Sequence, residues 1–169
     1  MVLLCWSLFV VCLMSASAFA DSSKDRTLVI GTTGDPNGLD PQGVDAMWDN
    51  TMAINIFDSL VIKVTDEKGD VSYEPGLAVE WEQEDPVTWV LDLRKGVRFH
   101  NGNEFTADDV VFSYQRYKDG VGKGFVRAIE SVRAIDDHTV ELKTYDPYAI
   151  LVLELGSIYI SDREYFEEV

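Results

Sequence analysis

Residues 89–113 read WVLDLRKGVRFHNGNEFTADDVVFS, and along this stretch the apolar spacing changes from two to three-or-four. Trp89, Leu91 and Leu93 alternate with Val90, Asp92 and Arg94, which predicts a strand with one apolar face. Lys95-Gly96 turns the chain into the extended run Val97-Arg98-Phe99-His100, and Asn101-Gly102 supplies a second turn. Thr106, with Asp109 three residues on, has the form of a capping box. Ala107, Val110, Val111, Tyr114 and Tyr117 then fall on one side of the helix that follows.

Working upstream, residues 61–64 and 71–73 flank Asp66-Glu67-Lys68-Gly69-Asp70 as a hairpin with Gly69 at the tight position, and Pro75-Gly76 ends it. Before the hairpin, Asp45 is placed to cap a helix with Asp49 in its first turn. Met47, Thr51, Ile54 and Phe57 form one row of that helix and Trp48, Met52, Ile56 and Leu60 the next, so it is expected to be well buried. Residues 27–30 read as a buried strand that leads into the turn-rich loop Gly34-Asp35-Pro36-Asn37-Gly38.

Downstream, Gly120-Val121-Gly122-Lys123-Gly124 reads as a mobile loop, and residues 132–135 and 139–143 as a hairpin about Asp136-Asp137. Residues 148–155 are apolar and expected to be helical, residues 158–160 extended, and Ser161 with Glu164 a further helix start. Short hairpins interleaved with short helices predict an α+β fold with a mixed sheet.

The 169 residues carry 14 Lys and Arg against 30 Asp and Glu, a net charge of -16. Such a surface repels phosphate backbones, which argues against nucleic acid as a partner. Residues 1–20 contain no charged side chain, run apolar from Val2 to Met14, and end in the small-residue pattern Ala18-Phe19-Ala20. That is the profile of a signal peptide, with the mature chain starting at Asp21. The lack of a basic start and the near-spanning length keep an uncleaved membrane anchor as the alternative. Both cysteines, Cys5 and Cys12, lie in this segment, so no disulfide or thiolate metal site is expected in residues 21–169.

Asp136-Asp137-His138 places two carboxylates beside an imidazole, but consecutive strand residues face opposite ways, so a turn explains it better than a metal site. Residues 66–70 lack the ligand spacing of a calcium loop, and the Gly-Lys at 122–123 has no Ser or Thr after it to build a phosphate cradle. The only histidines, His100 and His138, sit in no nucleophile motif, so neither an enzyme nor a cofactor or metal is expected. Trp48, Trp81 and Trp89 have helix and strand spacing and read as core rather than as ligand-stacking residues.

Taken in order, Leu77-Ala78, Trp81, the run from Trp89 to Gly102, and Phe105-Thr106-Ala107 with Asp109, Val110, Phe112 and Ser113 resemble the signature of the bacterial extracellular solute-binding proteins of the oligopeptide, dipeptide and nickel class. Residues 27–41, ending Leu39-Asp40-Pro41, are similar to that family's first strand and loop. The resemblance implies the substrate-binding component of an ABC importer, located in the periplasm or outside the cell, with a peptide or similar small solute and a membrane permease as partners. It implies a monomer when complete, with residues 21–169 forming the N-terminal part of the first of two lobes and the second lobe absent. It also places the ligand site on Pro36, Asn37 and Gly38, whose backbone groups would hydrogen-bond an extended peptide. The alternative expectation is a truncated, non-binding remnant or a chaperone-like interaction fragment that uses surfaces left bare by the missing lobe.

Overall fold

The computed structural model describes residues 31, 34–35, 37–43 and 47–168. The chain divides into two units, Met1–Gly31 and Thr32–Val169. Of the first only Gly31 is described, and every described helix and strand belongs to the second. The expected signal peptide, the strand at 27–30, Pro36, the Asp45 cap and the side chains of Met47 and Trp48 lie outside the described residues.

The strand foreseen at 89–93 is Thr88–Leu93 (β4), central to a four-stranded antiparallel sheet. Ala78–Asp85 (β3) pairs with one side of it, Thr139–Thr144 (β6) with the other, and Ile129–Asp136 (β5) with the far side of β6. The register places Trp81 opposite Leu91, Leu91 opposite Val140, and Ala134 opposite Val140. Directly opposed residues share a face, so one apolar row crosses all four strands. Trp89 opposite Leu142 and Val132 opposite Leu142 extend a second row beside it.

The capped helix is Ala107–Asp119 (α2), and it packs its apolar side onto this face. Asp109 Oδ2 accepts from the Thr106 N–H at 2.8 Å and from the Thr106 hydroxyl at 3.2 Å. Tyr114 donates its hydroxyl to the carbonyls of Ile129 and Glu130 at 3.0 and 2.9 Å, tying α2 to the start of β5. Asp136-Asp137-His138 forms the β5–β6 turn: Asp136 Oδ1 accepts from the His138 N–H, the Asp137 carbonyl from the Ala107 N–H and the His138 carbonyl from the Leu93 N–H. These groups therefore anchor a helix start and a strand end.

The upstream hairpin is Val61–Thr65 (β1) with Val71–Pro75 (β2), turning at Gly69 with φ +89°. Asp66 Oδ1 accepts from the backbone N–H groups of Lys68 and Asp70, so this carboxylate closes its own turn. Gly76 lies where the chain passes from β2 to β3. A Cβ there would sit 2.5 Å from the Ser59 carbonyl oxygen, which requires glycine.

Four expectations need correction. The first helix, Met47–Ala53 (α1), stops a turn early and leaves Ile54 66% exposed and Ile56 39% exposed. Asn55 donates its side-chain amide to the Thr51 carbonyl, and two β-branched isoleucines around an asparagine are weak helix formers. The glycine-rich segment is a 3₁₀ helix, Val121–Val126, with Gly122 pressed against the Tyr117 ring, where a Cβ would come within 2.6 Å. The helix near 148–155 is confined to Leu151–Leu155 (α3). The last helix, Arg163–Glu168 (α4), has Asp162 rather than Ser161 accepting from its backbone, at the Tyr165 N–H. Strand β3 had no apolar alternation to reveal it: it is an edge strand whose Glu80, Glu82, Glu84 and Asp85 face solvent.

Candidate functional site

Ser113, Arg116 and Tyr117 project from one side of α2 because they are spaced three and four residues apart. All three reach segments distant in sequence. Ser113 Oγ accepts from the Ser161 N–H at 2.9 Å, and the Tyr117 hydroxyl accepts from the Tyr159 N–H at 3.2 Å. Burial pushes the Tyr117 hydroxyl well above its ordinary pKa, so it stays protonated. Arg116 holds Asp40 in a two-pronged pair, Nη1 to Oδ1 at 3.0 Å and Nη2 to Oδ2 at 2.6 Å, while its guanidinium lies 3.9 Å from the Phe166 ring centroid.

Gln42, only 2% exposed, completes this bolt. Its Nε2 donates to the Tyr159 carbonyl at 2.9 Å, and its Oε1 accepts from Arg116 Nη1 and from the Ser161 hydroxyl. The loop is held at its other end by Asp49, also 2% exposed. Asp49 accepts from the Asn37 N–H at 2.7 Å and from the Asn37 side-chain amide at 3.1 Å. The segment from Asn37 to Gln42 is thus pinned at both ends by buried polar side chains.

Alongside it opens a cleft of about 420 Å³. Its floor is Leu77, Phe105 and Ile160, its walls include Phe57, Val97, Phe99 and Phe166, and Leu39, Ile56 and Tyr165 stand at its mouth. Asp162 lines it too, with Oδ2 accepting from the side-chain amides of Asn101 at 2.6 Å and Asn103 at 3.0 Å. Nearby Asp109 is held above the usual carboxylate range, chiefly by burial, despite hydrogen bonds from the backbone N–H groups of Arg163 and Thr106 that act the other way; the charge of Asp162 adds a smaller push upward.

Of the three residues expected to bind ligand, Pro36 lies outside the described residues. Asn37 is exposed and Gly38 half-exposed, but the Asn37 N–H is engaged by Asp49. Neither lines the cleft, whereas their neighbours Leu39 and Asp40 do. Gln42, Asp49 and Arg116 escaped the sequence reading because the bonds that define them span up to 119 residues. Only the Leu39-Asp40-Pro41 motif marked the neighbourhood.

Residues 72–167 match the sequence profile described as bacterial extracellular solute-binding proteins, family 5 Middle. The chain is 33% identical over 170 residues to heme-binding protein A of Haemophilus influenzae, covering 87% of this chain and 30% of that one. To the dipeptide-binding protein of Escherichia coli it is 31% identical over 176 residues, covering 89% and 32%. Among solved structures it is similar to OppA of Burkholderia pseudomallei, with 26% identity and a TM-score of 0.68 over 78% of this chain and 29% of that one. It is also similar to DppA of Helicobacter pylori in complex with the peptide STSA, with 29% identity and a TM-score of 0.67 over 79% and 30%. The chain spans roughly 30% of the length of these relatives.

Proposed function

The chain belongs to the bacterial extracellular solute-binding proteins of family 5, and from this premise we propose that it is part of the substrate-binding component of an ABC importer. In this reading it helps capture a peptide or similar small solute outside the cytoplasmic membrane and hands it to the permease. Residues 1–20 direct its export, and residues 21–169 form part of the first lobe. The activity is binding without bond-making.

The observation that carries this reading is the agreement of sequence and fold, over more than three quarters of the chain, with a protein whose structure holds a peptide. The names of further relatives, a dipeptide-binding protein and a heme-binding protein, indicate small extracellular solutes of more than one kind. We place the contact on the loop at Pro36, Asn37 and Gly38, presented by a segment whose far side is fixed through Asp49 and Arg116. With the Asn37 N–H engaged, the groups left to meet a peptide are the Asn37 carbonyl and the Gly38 backbone.

Calorimetry tests this with a set of di- to tetrapeptides, titrated into the chain and into the chain joined to the part of the E. coli dipeptide-binding protein that it does not span. The joined protein is expected to bind peptide, and Gly38→Pro, which removes an N–H, to weaken that binding. Absence of peptide binding by both forms overturns the proposal.

A further inference from the structure

We propose that the apolar cleft beside the Asn37–Gln42 segment is a seat for polypeptide, and that its occupant is the part of the family's chain lying outside the third spanned here. The floor of the cleft is continuous with the hydrophobic core, since Leu77, Phe105 and Ile160 belong to that core and Val97 and Phe99 pack against it. At its mouth Leu39 is 58% exposed and Tyr165 52% exposed. Large apolar side chains concentrated at one opening, above a floor that is already core, are what a chain shows where more of its fold is meant to lie.

The chemistry of the walls favours polypeptide over a small polar solute. Asp40 is paired with Arg116, and Asp162 is engaged by Asn101, Asn103 and the Tyr165 N–H. Arg98 donates to the Gly102 carbonyl. An amide-rich solute would therefore find its hydrogen-bonding partners already engaged, whereas aliphatic and aromatic side chains would extend the core. The length of the relatives supplies the occupant: this chain accounts for only 32% of the E. coli dipeptide-binding protein, so the other two thirds of such a protein has to be built around the matched part.

The inference rests on family membership and not on peptide capture, so its test reads burial rather than ligand binding. Hydrogen exchange is compared between the chain and the same chain joined to the remainder of the E. coli dipeptide-binding protein. In the joined protein the amides of Phe57, Phe99, Tyr165 and Phe166 are expected to exchange at least about tenfold more slowly, the range over which packing changes local opening. Leu39→Asp and Tyr165→Asp, both at exposed positions, should leave the melting temperature of the chain alone unchanged and lower that of the joined protein. Should the joined protein fail to fold, the chain and the remainder are mixed as separate polypeptides, and a complex that Leu39→Asp dissociates is expected. Equal exchange in both forms, or no complex on mixing, overturns the proposal. So does a dimer of the chain alone that Leu39→Asp dissociates, or a short peptide that protects the cleft amides in the chain alone.

Discussion

Trp81, Leu91, Val140 and Ala134 make one apolar row contributed by four strands, closed over by α2. The Asn37–Gln42 segment has no such row. It is fixed by a guanidinium, two carboxylates and an amide, through Arg116, Asp40, Asp49 and Gln42. Apolar burial is non-directional and tolerates small shifts, so the sheet and α2 form a firm platform. Buried polar contacts are directional, and each unmatched group is costly, so the loop has one position or none. A family that presents different solutes from one platform can therefore vary a loop without disturbing the sheet that carries it.

Four measurements would break or sharpen this contrast. Leu91→Ala removes a fully buried residue from the middle strand and should lower the unfolding free energy by about 3 kcal/mol in denaturant titration. If it costs less than the loop substitutions, the sheet is not the platform. Gln42→Ala deprives the Tyr159 carbonyl, the Ser161 hydroxyl and Arg116 of a partner at once, and should cost about 2 kcal/mol. Its signature is faster hydrogen exchange at residues 40–42 and 159–161 with β4 and β6 unchanged. Thr106→Ala removes the capping hydroxyl of α2 and should cost about 1 kcal/mol in the same titration.

The smallest effect is a pH slope. Burial raises the pKa of Asp109 in the folded state above its unfolded value of 3.8, so the folded state binds that proton more tightly. Its contribution is greatest below 3.8 and is lost as pH rises through the folded pKa. Asp85 and Asp136, exposed carboxylates with lowered pKa, act oppositely: their contribution is present above 3.8 and is lost as pH falls through their folded values. The lowering comes mainly from the backbone N–H groups of Val87 and His138. Asp109→Asn should remove the loss of stability on going up in pH from 3.8 and leave the acid-side loss intact. An unchanged profile would mean that Asp109 bears no burial penalty.

The platform was legible because its signals are local. Alternation at Trp89, Leu91 and Leu93, the glycines Gly69, Gly96 and Gly102 at positive φ, and the Thr106–Asp109 box each lie within a few residues of their effect. The first helix misled for the same reason: apolar spacing continues through Ile54 and Ile56, but nothing local says that the helix gives way to turns there. The candidate site was legible only as a motif, Leu39-Asp40-Pro41. The partners that give it shape are Asp49, Arg116 and Ser161, separated from it by 12 to 119 residues.

The sequence alone determined that this is an α+β chain of hairpins and short helices, with a strand-turn-helix signature at residues 89–113, because backbone periodicity, turn residues and caps are short-range properties. Only the tertiary structure decided that Gln42 would be a buried bolt, that Asn37 would give its N–H to Asp49, and that Leu39, Phe57, Phe99 and Tyr165 would meet at one open cleft. Those outcomes depend on which distant groups the closed chain brings within hydrogen-bonding or van der Waals reach, and no pattern along the sequence records that distance.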